Sequence, residues 1–157
     1  MSSRPHRVVA FGELLMRLEP HGHQRLVQAD RFEIGYTGAE ANTAALLSGL
    51  GVETYCVSKV PANEVGQACV NYLRRFGIDT RFVARGGERL GLFYLETGAA
   101  QRASKVVYDR EHTSLRGASV DDFDWEAVLE DVDWLHFSGT APASGPAIID
   151  TLEAGLT

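Results

Sequence analysis

Three places in the chain carry residue types that could do chemistry. Glu13 follows the apolar run Val8-Val9-Ala10-Phe11 and Gly12. A short apolar run ended by glycine reads as a buried parallel strand. The space just past the C-terminal end of such a strand is where ligands bind in open α/β sheets. A carboxylate there is either a ligand acceptor or a solvated loop group. Gly38 and Ala39 open a stretch of small residues. The first N–H groups of a helix are free donors, and small side chains let an anion or a hydroxyl-rich ligand come close. Tight helix–sheet packing uses the same residues. Tyr108 and Arg110 alternate along an apolar segment, so on a strand they share a face. An arginine in that position can hold a carboxylate through two parallel bonds.

The rest of the composition mainly excludes functions. The 157 residues are 45% hydrophobic and 23% charged, enough to pack the core of one ordinary domain. The formal net charge of −6 leaves no basic footprint for nucleic acid. Cys56 lies in the apolar run Thr54-Tyr55-Cys56-Val57, and Cys69 falls on the apolar side of a predicted helix. Both read as buried, reduced thiols, with no metal-ligand spacing around them. The five histidines earn no role; His21 and His23 share a turn, and a solvated or hydrogen-bonded imidazole is the reading for each. Residues Met1–Arg7 run straight into a strand, and no apolar stretch approaches the ~18 residues of a membrane span. A cytoplasmic protein is expected.

The elements that must position these residues follow from patterning. Strands are predicted at Val8–Phe11, Leu14–Leu18, Arg31–Tyr36, Val52–Val60 and Thr80–Ala84, with Phe32, Ile34 and Tyr36 on one face. A helix from Ala39 to Leu50 ends at Gly51. A second helix is capped by Asn63 and carries Val65, Ala68, Cys69, Tyr72, Leu73 and Phe76 on its apolar face. Leu50-Gly51-Val52-Glu53-Thr54 is echoed by Phe76-Gly77-Ile78-Asp79-Thr80, two helix ends each turning into a strand. Two such steps imply a parallel sheet with right-handed crossovers. Leu90–Glu96 and Lys105–Asp109 read as a hairpin that breaks this rhythm and projects from the main sheet. Ser119-Val120-Asp121-Asp122 opens a helix carrying Phe123, Val128 and Leu129; Trp134–Phe137 is a strand, and Pro146 starts the last helix.

Taken together, the string Gly38-Ala39-Glu40-Ala41-Asn42-Thr43-Ala44, followed by Gly49, Gly51 and Gly66, resembles the first signature of the ribokinase-like (PfkB) carbohydrate kinases. The segments Gly12–Leu18, Leu92–Glu96, Ser104–Arg110 and His136–Gly139 are similar to the first strand end, the lid strands and a later strand end of 2-keto-3-deoxygluconate kinases. Two departures stand out. Thr37-Gly38 replaces a common glycine pair, and Pro61-Ala62-Asn63 replaces a common Gly-Asp-Asp.

The resemblance implies an α/β fold: a ribokinase-like, mostly parallel sheet flanked by helices, with a projecting β lid whose strands lie near residues 14–36 and 90–110. It implies substrate contacts by Glu13, Gly38, Ala39, Asn42, Phe93, Tyr108 and Arg110. Asn42 offers both a donor and an acceptor to a polyol, Phe93 a stacking surface, and Arg110 a partner for a sugar acid's carboxylate. ATP and Mg²⁺ are implied for the complete enzyme, as is a homodimer through lid strands. The family's second signature, Asp-Thr-x-Gly-Ala-Gly-Asp, supplies an anion-binding helix N-terminus and a base; no such string occurs in residues 1–157. The expectation is therefore the N-terminal, sugar-binding half of a kinase for a small sugar acid, with the C-terminal part of the fold missing and inactive on its own. A kinase for fructose or ribose, or a non-catalytic sugar-binding or dimer-forming remnant, are the alternatives.

Overall fold

The computed structural model describes residues 4–157. In chain order the elements are β1 (Arg7–Phe11), β2 (Leu15–Pro20), β3 (Phe32–Thr37), α1 (Ala39–Gly49), β4 (Glu53–Val60), α2 (Glu64–Arg74), β5 (Val83–Arg85), β6 (Gly91–Glu96), β7 (Lys105–Asp109), α3 (Trp125–Leu129), β8 (Trp134–His136) and α4 (Pro146–Leu156). They form two four-stranded sheets, ordered β5-β4-β1-β8 and β3-β2-β6-β7. Every pairing in the first sheet is parallel. The second is two antiparallel hairpins, β2–β3 and β6–β7, joined by a parallel β2–β6 pair.

The first sheet is buried on both faces because its strands alternate between two apolar layers. Ala10, Cys56 and Val60 face α1 and α2 in a core with Ala41, Ala44, Cys69, Val70 and Leu73. Val9, Phe11 and Val57 face α3 and α4 in a core with Trp125, Val128, Ile148 and Leu152. Phe11 anchors this second layer, its ring 5.6 Å from Phe123 and 5.5 Å from Trp125.

Helix ends follow the chemistry of their residues. Asn63 Oδ1 accepts from the Gly66 N–H at 3.0 Å, capping α2. Gly51 takes a φ of 86°, the left-handed turn that glycine makes without strain, and leads the chain out of α1 into β4.

Three expectations about boundaries and faces are corrected. The buried side of α2 is Gly66, Cys69, Val70 and Leu73, while Val65 and Phe76 are exposed. A Cβ at residue 66 would lie 2.1 Å from the Pro61 carbonyl oxygen, so the helix turns its glycine rather than Val65 toward the strand end. The helix predicted from Ser119 begins only at Trp125, capped by Asp124. Before it, Val120–Asp122 is a single 3₁₀ turn, and Phe123 is extended (φ −130°, ψ 120°) so that its ring reaches Phe11. The strand predicted from Thr80 starts at Val83, because Asp79 first bonds across to Thr54 and Cys56 and a turn then links Thr80 to Val83.

Candidate functional site

Glu13 stands where the chain leaves β1 and enters β2, so it sits at the junction of the two sheets. It is only 6% exposed. Its Oε2 accepts from Arg110 Nε at 2.7 Å and also from Arg110 Nη2; its Oε1 accepts from Thr113 Oγ1 at 2.6 Å. The sequence puts Glu13 forward as an acceptor for ligand hydroxyls. In the structure both oxygens are already held by protein donors. Gly38 is packed against the same residue: a Cβ there would lie 2.5 Å from the Glu13 carbonyl oxygen. A Cβ on Gly91 would fall 3.1 Å from Glu13 Oε1 and 2.5 Å from Leu15 Cδ2. Gly38 therefore lets α1 start against the main chain of Glu13, and Gly91 lets β6 start beside its carboxylate.

Arg110 follows the last residue of β7, and its guanidinium lies 5.9 Å from the centre of the Tyr108 ring. Tyr108 is paired with Phe93 across β6 and β7, the rings 5.8 Å apart at 41°. Register extends this face to β2, where Arg17 is the partner of Phe93. Arg17 runs across Gly35 and pairs with Glu19 at 3.6 Å. One face of the second sheet thus presents two arginines and two aromatic rings. The opposite face carries Leu18, Ile34, Tyr94 and Val107.

The base of β7 is fixed by a fork. Arg89 Nη1 and Nη2 donate to the two oxygens of Asp109 at 2.7 and 2.9 Å, and Nη1 also donates to the Glu111 carbonyl at 3.2 Å. The hydrogen bonds from Arg89 hold the Asp109 carboxyl below the usual carboxylate range and hold the Arg89 guanidinium above its own.

The first turn of α1 supplies Ala39 and Asn42, both exposed. Asn42 Oδ1 accepts from Thr37 Oγ1 at 2.8 Å, which leaves its NH₂ donors to face a ligand or water. Asn42 also lines a cleft of about 300 Å³ between β3, α1 and α2, with Arg17, Tyr36, Tyr72 and Phe76. Of the seven predicted residues, the structure thus gathers Glu13, Gly38, Phe93, Tyr108 and Arg110 into one contiguous run. Ala39 and Asn42 lie beside it on the helix that Gly38 caps.

Sequence reasoning missed Arg17, Thr113, Arg89 and Glu40. Arg17 could have been found by carrying the alternation of Leu14–Leu18 through to the paired strands. Glu40 reads in sequence as an ordinary first-turn acidic residue. In the fold it is 2% exposed and accepts from the Ser138 N–H at 2.9 Å, tying α1 to the loop after β8.

A parallel sheet flanked by helices and joined to a second four-stranded sheet defines a mixed α/β protein. Residues 5–154 match the pfkB family carbohydrate kinases, and the chain belongs to that family. It is 31% identical over 144 residues to a 2-dehydro-3-deoxygalactonokinase of Haloferax volcanii, covering 92% of this chain and 45% of that protein. It is 30% identical to a 5-dehydro-2-deoxygluconokinase of Clostridium perfringens, covering 96% of this chain and 45% of the relative. The crystal structure of 2-dehydro-3-deoxygluconokinase from Thermotoga maritima superimposes with a TM-score of 0.94 at 48% identity, over 96% of this chain and 46% of that one. The chain spans about half the length of the curated relatives it matches.

Proposed function

We propose that this chain is the sugar-binding half of an ATP-dependent kinase for a small sugar acid of the 2-keto-3-deoxygluconate type. One observation carries the reading: the Arg110 guanidinium, stacked on Tyr108 beside Phe93, lies at the junction of the two sheets with one edge held by Glu13. A guanidinium has a second pair of donors, and a planar carboxylate is the ligand that matches it. The aromatic faces of Tyr108 and Phe93 suit the apolar side of a short carbon chain. Gly38, Ala39 and Asn42 add backbone and amide donors for its hydroxyls. In this reading the second sheet is a lid over the sugar, and its far face is the surface through which two copies pair.

ATP and Mg²⁺ are substrate and cofactor of the whole reaction. The sequence has no glycine-rich anion loop of the family's second type. No phosphoryl-transfer step is therefore assigned to these residues, and purified alone they should release no ADP in a sugar-dependent manner. Sustained, sugar-dependent ADP release above a buffer blank would overturn that expectation.

The substrate class is tested by selectivity. A charge-assisted bidentate contact contributes about 1.5–3 kcal/mol, so Arg110→Ala should weaken 2-keto-3-deoxygluconate by roughly 10- to 100-fold and fructose far less. Calorimetric titration of both sugars decides it. Equal losses for the two would leave a neutral-sugar kinase as the better reading.

A further inference from the structure

We propose that Glu13 is a positioning residue that reaches the ligand only through Arg110. The proposal rests on the substrate reading above and adds the origin of its selectivity. A carboxylate that bound sugar hydroxyls directly would need a free oxygen. Both oxygens of Glu13 are already engaged: Oε2 takes Arg110 Nε at 2.7 Å together with Nη2, and Oε1 takes Thr113 Oγ1 at 2.6 Å, leaving one lone pair on Oε1. Access is also narrow: Glu13 is buried, and Gly91 and Thr113 border its Oε1, a Cβ at residue 91 falling 3.1 Å from that oxygen. The remaining lone pair on Oε1 lies in this buried setting beside Thr113, while Arg110 extends from the same carboxylate.

The geometry instead gives Glu13 control of the arginine. A guanidinium has two donor forks, one formed by Nε and a terminal nitrogen, the other by the two terminal nitrogens. Glu13 occupies the first and leaves the second. The Tyr108 ring lies beside it, its centre 5.9 Å from the guanidinium carbon. A free arginine at the end of a strand samples many rotamers and loses that freedom on binding. Held by Glu13, Arg110 has lost it beforehand. Thr113 completes the arrangement by fixing the carboxylate itself. The charge of Glu13 offsets part of the pull of Arg110 on an anion, so the gain comes from orientation, and the selectivity is for a carboxylate in one place and one plane.

The test is a double-mutant cycle on the full 157-residue chain, using Glu13→Gln, Arg110→Ala and both together, titrated with 2-keto-3-deoxygluconate and with fructose. Glu13→Gln should weaken the acid about tenfold while changing fructose by less than about twofold, and in the Arg110→Ala background it should change the acid by less than about twofold. A purely structural role would weaken both ligands together. Equal losses, or a Glu13→Gln effect on the acid that persists undiminished without Arg110, would overturn the proposal. A second readout needs no ligand. The Nε–H resonance of Arg110 should be slow to exchange with water in the unmodified chain and fast in Glu13→Gln; an unmoved resonance also overturns it. If the unmodified chain binds neither sugar, the substrate reading fails, and the Nε–H resonance still decides whether Glu13 holds Arg110.

Discussion

A methyl group at position 12 would lie 1.9 Å from Glu40 Oε2 and 2.3 Å from its carboxyl carbon. Gly12 is therefore the gap that lets a buried carboxylate sit between the ends of β1 and β8. Gly12→Ala forces either Glu40 out or the two strand ends apart, at an expected cost of about 1–3 kcal/mol in urea unfolding. An unchanged midpoint would mean that Glu40 moves away freely. The two cysteines are free and buried. Burial pushes the Cys56 thiol up, and it pushes the Cys69 thiol up to about 12. Neither should react with a disulfide reagent at pH 8 until the chain is denatured, when both should; rapid labelling of the native chain would contradict the packing. The thiols were legible because each sits in an apolar pattern. So was the place of Glu13 just past the end of β1, from the apolar run and glycine before it. Its partner was not legible, since Arg110 lies 97 residues away and no local pattern couples the two.

The Arg89–Asp109 fork is a device of the β7 element, tying its last residue to the segment before β6. Its pH dependence has a definite sign. The folded Asp109 carboxyl is depressed, so its contribution is present above the ordinary carboxylate pKa of about 4 and is lost as pH falls through the lower folded value. The difference in Tm between the unmodified chain and Asp109→Asn should therefore close as pH drops below about 4, and a difference that widens there would refute the assignment. At this scale most of the fold could be read beforehand. β1, β3, α1 and the β6–β7 hairpin fall within a residue or two of their predicted places, because their apolar or helix-favouring runs are bounded by glycines. The segment before α3 could not be read, because Phe123 leaves helical geometry only to reach Phe11, a contact invisible in local sequence. The join between the two hairpins was also hidden: a parallel β2–β6 pair leaves no turn signature.

At the scale of the molecule, two apolar surfaces stand exposed among the described residues. The face of the second sheet opposite Arg110 carries Ile34, 60% exposed, with Val107 and Phe32 beside it. The edge strand β8 carries Trp134, 67% exposed, beside a groove that also includes Val8, Leu47 and His136. Apolar patches and open strand edges favour association, so the chain should dimerise or self-associate further at tens of micromolar, and Ile34→Glu should shift it toward monomer. Size-exclusion chromatography with light scattering reads both. A clean monomer with a sharp cooperative melt and no hydrophobic dye binding would mean that these faces are stable bare. The strand pairings also set a timetable. Val8 pairs with Thr54 on one side but with Trp134 on the other, and Leu15 pairs with Thr37 on one side but with Gly91 on the other. Strands early in the sequence thus complete their pairing late, β1 only once Trp134–His136 has been made. Helix formation is fast by comparison, so the closure of these long loops governs how quickly a newly made chain becomes native.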